Sequence, residues 1–521
     1  MRCSPLLTLT ACLALVLAAT PVVADETFLQ LRERSQASSP ASLESWVVDV
    51  DVAPFRNHAE AVFVDLDGLR YRIGLSDLEE RAEGDLVWRG RFADGGQAVL
   101  TLKNGWLVGV LYSPRGVYEL TTSPQGQIFQ KIDPAGFEPC YHAEHGFDSQ
   151  DDRAGSRAAG GAVEEVLAVD PEVSDRRSSA TPGLGEEGLF VLDVMIVYTP
   201  QARSGAGGVA AIEALAQNAV DVSNTAFANS QANTRFELVH TAQVFYNDTG
   251  NIVADRDWVR GYASVRNWRD WFDADLVSLW VENGGGYCGI AYLLGNESAV
   301  DFNPFAYQVT ARSCAVGNLT YAHEHGHNLG LQHNPENGAP PSQAFRTFGY
   351  GHYHNGNYRT VMSYSSQCPA GCARQAFFSN PNVVFQSAAT GIANSRDNVR
   401  VLDDVAPIAA DYRIRCAGPP ARPAFITGPN NDLCQGATET YQTPAVAGAD
   451  TYRWEVVGQP FVRTTSTPQV SISGYPFSTG PHTLRVRAQN GCGNSAWRSV
   501  TIYVLPNTDP TCGGCSGRFC F

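Results

Sequence analysis

Basic residues, methionine and long apolar runs are all scarce in this sequence, and each shortage removes a class of function. Lysine and arginine number 37 against 53 acidic residues, for a net charge of -16. That balance leaves no basic patch for nucleic acid or a membrane surface. Beyond the N-terminus no stretch approaches the roughly 18 uninterrupted apolar residues of a membrane span. Glycine- and aspartate-rich repeats are missing, which excludes a calcium-bound solenoid at the C-terminus. Only three methionines occur in 521 residues, one of them Met1, so a methionine inside a motif carries weight. What remains is globular in character, 44% hydrophobic and 17% charged. The length calls for about two to four domains.

The N-terminus runs from Arg2 through an apolar stretch, Leu6 to Ala19, to Val22-Val23-Ala24 before Asp25. This is the layout of a signal peptide with a small-residue cleavage site, so the mature chain is expected to be secreted and extracellular. Leu9-Thr10-Ala11-Cys12 has the form of a lipid box, but the apolar run continues past Cys12. Eleven of the thirteen cysteines follow Ala24, an odd number in an oxidising compartment where disulfides are the default. Cys140 stands apart from the middle group (Cys288, Cys314, Cys368, Cys372) and from the C-terminal group beginning at Cys416. It is the natural unpaired thiol.

Composition divides the rest. Short alternating runs such as Ala98-Val99-Leu100-Thr101-Leu102, broken by Asp-Gly and Asn-Gly turns, make 25–142 a β-rich unit. Residues 143–188 lose aromatics and periodicity and read as a flexible linker, with an exposed dibasic pair, Arg176-Arg177, as a processing site. In 189–415 strand patterns (Leu189 to Tyr198, Arg235 to Val244, Leu276 to Val281, Ala306 to Ala311) alternate with helical ones (Gly208 to Ala228, Leu319 to Leu329). The expectation is a multidomain chain whose α/β middle domain is built on a mixed five-stranded sheet. A stiff Pro-rich linker, 416–423, leads to a β-sandwich at 424–505 and a Cys-rich tail at 506–521. Cys434 and Cys492 flank Trp454 in the order of an inter-sheet disulfide packed on a tryptophan.

Chemistry concentrates in His323-Glu324-His325-Gly326-His327-Asn328-Leu329-Gly330-Leu331-Gln332-His333. On a helix His323 and His327, four apart, share a face and can present two imidazoles to one metal ion. Gly330 can take a left-handed conformation that ends the helix and brings His333 round as a third ligand. Three neutral imidazoles leave a position open, the mark of a catalytic zinc site. His325, two positions from His323, is expected at the surface or behind the ligands, as are His352 and His354.

H-E-x-x-H-x-x-G-x-x-H followed by a methionine turn is the metzincin pattern, and Val361-Met362-Ser363-Tyr364 supplies the turn 29 residues after His333. Leu192 to Pro200 and Gly289-Ile290-Ala291 resemble the opening strand and edge strand of reprolysin-like metzincins, in particular secreted bacterial peptidyl-Asp metalloendopeptidases. Asn334, where reprolysins carry Asp, and Tyr364 depart from that subfamily. The C-terminal module resembles PKD-like or immunoglobulin-like units. The resemblance implies a zinc endopeptidase that acts on proteins or peptides. Its ligands are His323, His327 and His333, its base Glu324, its apolar floor Met362 and its oxyanion donor Tyr364, with substrate held along Gly289, Ile290 and Ala291. One zinc ion is implied, and calcium stays open. Metzincin precursors often cover the metal with a prodomain cysteine, which makes Cys140 a candidate switch and 25–142 a prodomain. A non-catalytic adhesion or carbohydrate-binding protein on the same scaffold, or a cell-wall peptidase, are the competing readings.

Overall fold

The computed structural model describes residues 27–141 and 188–512, apart from short stretches at 36–38, 40, 83, 135, 369–371, 414–418, 429–431, 450, 474–476, 491–492 and 510–511. The expected signal peptide, the linker with Arg176 and Arg177, and the tail beyond Cys512 lie outside the described residues.

The N-terminal unit is one nine-stranded antiparallel sheet, from Leu29–Arg34 to Gly126–Ile132. Its tight hairpins are set by Asp67-Gly68 and Asn104-Gly105, all four residues having positive φ, as two-residue turns matching the strand twist require. Alternation along the strands then sorts two faces. Trp88, Ala98, Leu100, Leu102 and Leu107 fill a core of the unit's own. Val87, Val99, Val108 and Val110 point the other way, into the core of the middle domain. The strand Gln97–Lys103 is therefore buried on both sides.

The middle domain is built on β1 (Phe190–Tyr198), β2 (Thr234–Gln243), β3 (Leu276–Val281), β4 (Gly289–Ala291) and β5 (Tyr307–Ala311). They lie in the order β2-β1-β3-β5-β4. All pairs are parallel except β4 with β5, which is antiparallel at the edge. Helix α1 (Val209–Asn229) is buried around most of its circumference, because the mixed sheet covers one side and the N-terminal sheet the other. Of the other helices, α2 (Thr320–Asn328) carries the histidine motif and α3 (Asn398–Ala409) packs against β1 and β2. Disulfides join Cys288 to Cys314 and Cys368 to Cys372.

In the C-terminal module a six-stranded and a two-stranded sheet share one core, with Trp454 fully buried beside Tyr441, Ile472 and Leu484. The disulfide there differs from expectation. Cys434 pairs with Cys512, not Cys492. The strand Asp432–Cys434 lies parallel to the end of Arg498–Leu505, so the chain leaving that last strand brings Cys512 to Cys434. Cys492 lies outside the described residues.

Candidate metal centre

Helix α2 begins after Leu319, which takes a left-handed conformation (φ 57°), and runs buried beneath the edge of the sheet. It ends where Gly330 turns left-handed (φ 81°), and the chain folds back to deliver His333. His333 Nε2 lies 3.1 Å from His323 Nε2 and 2.9 Å from His327 Nε2. Each ring is held from behind by a backbone carbonyl on Nδ1: Val361 at 2.8 Å, Leu331 at 2.9 Å and Asn337 at 3.3 Å. A carbonyl can only accept, so each Nδ1 carries the proton and each Nε2 a lone pair. Three converging lone pairs repel unless a cation sits among them. Ligands at about 2.0–2.1 Å from one tetrahedral ion would be about 3.3 Å apart, close to what is found. Burial first, then Arg374 and the neighbouring imidazoles, pushes His323 well below the usual histidine range and favours the neutral ligand form.

Met362 is fully buried under this group. Gly326, inside α2, makes the approach possible, since a Cβ there would stand 2.5 Å from the Met362 sulfur. Gly289 does the same on the other side, where a Cβ would meet a Glu324 oxygen at 2.6 Å. Glu324 is 1% exposed. Burial raises its carboxyl to about 8, with Cys140 and Arg374 acting in the opposite sense. The Tyr364 ring lies 4.1 Å from that of His333, centre to centre.

Asn334 acquires a function from its surroundings. Its Oδ1 accepts from the Tyr364 backbone N–H at 3.0 Å and from Ser363 Oγ at 3.3 Å. Its Nδ2 donates to Glu336 and Asn337, both at 2.8 Å. A carboxylate could make the first pair of bonds but not the second. Of the two positions expected for His325, surface or behind the ligands, the structure shows the buried one. His325 is completely buried, packed edge-on against Tyr321 and Phe236 and bonded through Nδ1 to Asn328. The back of α2 rests on α1 and the sheet, so the face away from the metal is core rather than surface.

Cys140, from the N-terminal unit, is a buried free thiol. Its sulfur, a His323 ring nitrogen and a Glu324 oxygen all lie within 4.8 Å of one another. The chain on either side of it pairs with the edge of the middle domain. Pro139 O accepts from Cys288 N at 2.9 Å, and Tyr141 N donates to Gly289 O at 2.7 Å. The Tyr141 ring packs on Tyr287, with centroids 5.0 Å apart, and Tyr364 Oη donates to the Cys140 carbonyl at 3.4 Å.

Residues 190–379 match the family profile described as metallo-peptidase family M12, and residues 419–502 match one described as a PKD-like domain. The middle domain is an M12 metallopeptidase. The chain is 26% identical over 400 residues to the peptidyl-Asp metalloendopeptidase of Xanthomonas campestris pv. campestris, covering 72% of this chain and 87% of the relative. With the protein of the same name from Stenotrophomonas maltophilia it shares 26% over 383 residues, 67% of this chain and 82% of the relative. With that of Pseudomonas aeruginosa it shares 32% over 245 residues, 43% and 40% of the two lengths. The chain is thus a zinc metalloendopeptidase, and its metallopeptidase domain holds the histidine triad for the ion. Among the described residues no helix is long and apolar enough to cross a membrane.

Proposed function

We propose that this chain is the precursor of a secreted bacterial endopeptidase that cuts extracellular proteins beside aspartate and is held latent by its own N-terminal unit. Held by His323, His327 and His333, zinc would supply Lewis acidity for a scissile carbonyl and would bring the pKa of a water molecule towards roughly 7. Glu324, whose carboxylate stands within reach of His323, takes the proton of the attacking water and passes it to the leaving amine. Tyr364 donates a hydrogen bond to the developing oxyanion. An extended substrate pairs with the free edge of β4, Gly289 to Ala291, in the manner of an added strand.

The observation that carries the latency reading is the placement of Pro139-Cys140-Tyr141. This segment uses the backbone groups of Cys288 and Gly289 that an extended substrate would need, and it puts a thiol sulfur beside His323 and Glu324. A thiolate is a good fourth zinc ligand. Activation then requires the N-terminal unit to leave, and the 143–188 segment with Arg176-Arg177 is where a cut would free it. Secretion fits the N-terminal apolar run and the three disulfides, which belong to an oxidising compartment. The aspartate preference rests on the names of the relatives. The C-terminal module is proposed to hold the enzyme to an extracellular protein or polysaccharide.

The test compares initial rates of casein cleavage by uncut wild-type precursor and uncut Cys140→Ser precursor, with and without a chelator. The reading expects chelator-sensitive activity in the variant and almost none in the wild type. Equal rates before any linker cut would refute latency.

A further inference from the structure

Two arginines stand beside the metal centre without a carboxylate partner of their own. Strands β6 (Tyr358–Arg359) and β7 (Ala373–Arg374) flank the methionine turn and pair in parallel, with Arg359 opposite Arg374. Both are buried, at 3% and 5% exposure. Arg359 donates Nη1 to the Ser363 carbonyl at 2.7 Å and Nε to the Cys372 carbonyl at 3.2 Å, which ties it to the residue after Met362. Arg374 donates Nη1 to the carbonyl of Asn318 at 2.7 Å, just ahead of α2, and its buried Nε has no partner. Neither forms an ion pair among the described residues. The charge of Arg374 reaches Glu324, Cys140, His323 and Tyr364.

Burying a guanidinium without a carboxylate is costly, and carbonyl bonds replace only part of its hydration. Two of them side by side repel each other as well. Once Cys140 has left with the N-terminal unit, Glu324 is the one carboxylate among the described residues whose charge acts on Arg374, and a single carboxylate cannot balance two guanidiniums. The site therefore carries a standing positive charge that the chain does not cancel, next to the position of the scissile bond.

We infer that Arg374, backed by Arg359, recognises the acidic side chain of the substrate residue beside the scissile bond, the aspartate carboxylate completing the ion pair that the protein leaves open. This rests on the endopeptidase reading above and gives its aspartate preference a structural origin. The short aspartate side chain keeps its carboxylate close to the backbone, so a fixed guanidinium near the metal centre selects it over a neutral isostere. A site built to bond a polar group rejects the analogue that lacks it, because its own buried donors are left unpaired.

The test uses the processed enzyme and two peptides that differ only in Asp against Asn at the cleavage site. The ratio of their kcat/KM values, taken within one preparation, does not depend on the fraction of folded enzyme. Wild type is expected to favour the Asp peptide, and Arg374→Met to lower that ratio by about tenfold to a hundredfold, mainly through KM for the Asp peptide. Arg374→Lys, which keeps the charge, should retain part of the preference and serves if the Met variant folds poorly. An Arg374→Met or Arg374→Lys enzyme with the wild-type ratio overturns the assignment while leaving the aspartate reading intact. A wild-type enzyme that does not distinguish the peptides overturns both.

Discussion

Gly326 lies directly against Met362, close enough that one added carbon would stand 2.5 Å from the methionine sulfur. The helix that carries two metal ligands is thereby seated on the apolar floor without a gap. The position between the ligands is the one where a glycine would otherwise weaken a helix by about 1 kcal/mol relative to alanine.

Gly326→Ala sets that helix gain against an overpacking cost of about 1–3 kcal/mol. The net loss of stability is expected to be small, about 0–2 kcal/mol, because the Met362 end can swing aside. Zinc affinity should fall more, by about tenfold to a hundredfold, since the ligand geometry shifts with its floor. Competition with a chelating dye for the metal, alongside thermal melting of the same sample, checks both. Unchanged affinity would mean that the contact is packing alone.

Arg81 reaches from the N-terminal unit to Asp221 in α1 with two hydrogen bonds, 2.9 and 3.2 Å long, and Asp221 is 2% exposed. Thr101 adds a third bond to that carboxylate at 2.6 Å. Removing one partner of a buried pair leaves the other charge uncompensated, at a cost of about 3–5 kcal/mol. Arg81→Ala should therefore loosen the hold of the N-terminal unit once the linker is cut. Size-exclusion chromatography of the nicked protein should find the two pieces separated in the variant at concentrations where wild-type pieces still co-elute.

Glu119, from the N-terminal sheet, is buried against the metallopeptidase domain, with its oxygens accepting from Gly317 N at 3.3 Å and Gln130 Nε2 at 2.9 Å. Burial lifts its pKa from 4.5 to about 7, and those two bonds act against the rise. The folded precursor thus binds this proton more tightly than the unfolded chain does. The benefit is complete below about pH 4.5 and lost as pH rises to about 7, a change of about 3 kcal/mol at most. Denaturation of wild type and Glu119→Gln across pH 5 to 8 should show the variant gaining on wild type up to about pH 7, then holding level. Parallel curves would mean that Glu119 does not titrate in this window.

The zinc motif was legible because its ligands are local. His323 and His327 share one helical face, and Gly330 supplies the turn to His333 within three residues. Four of the five strands of the metallopeptidase sheet were legible for the same reason, each in a run such as Leu276 to Val281, whereas the three-residue edge strand Gly289–Ala291 was expected only from the family resemblance. Contacts made across the fold were not. Nothing near Gly289 or Gly326 in sequence says that Glu324 or Met362 will press against it. Nothing in the sequence singles out Arg359 and Arg374, which β6 and β7 bury together. The helix alone left His325 between surface and interior, and α1 behind it decides for the interior. Cys434 found Cys512 through a strand pairing that cysteine order does not encode.

Latency turns on whether the Cys140 sulfur occupies the metal in the precursor, and X-ray absorption at the zinc edge reads that ligand directly. Uncut wild-type precursor should show one sulfur and three nitrogens around zinc, and both Cys140→Ser precursor and processed enzyme should show none of the sulfur. A sulfur-free zinc shell in the uncut wild-type protein would contradict it.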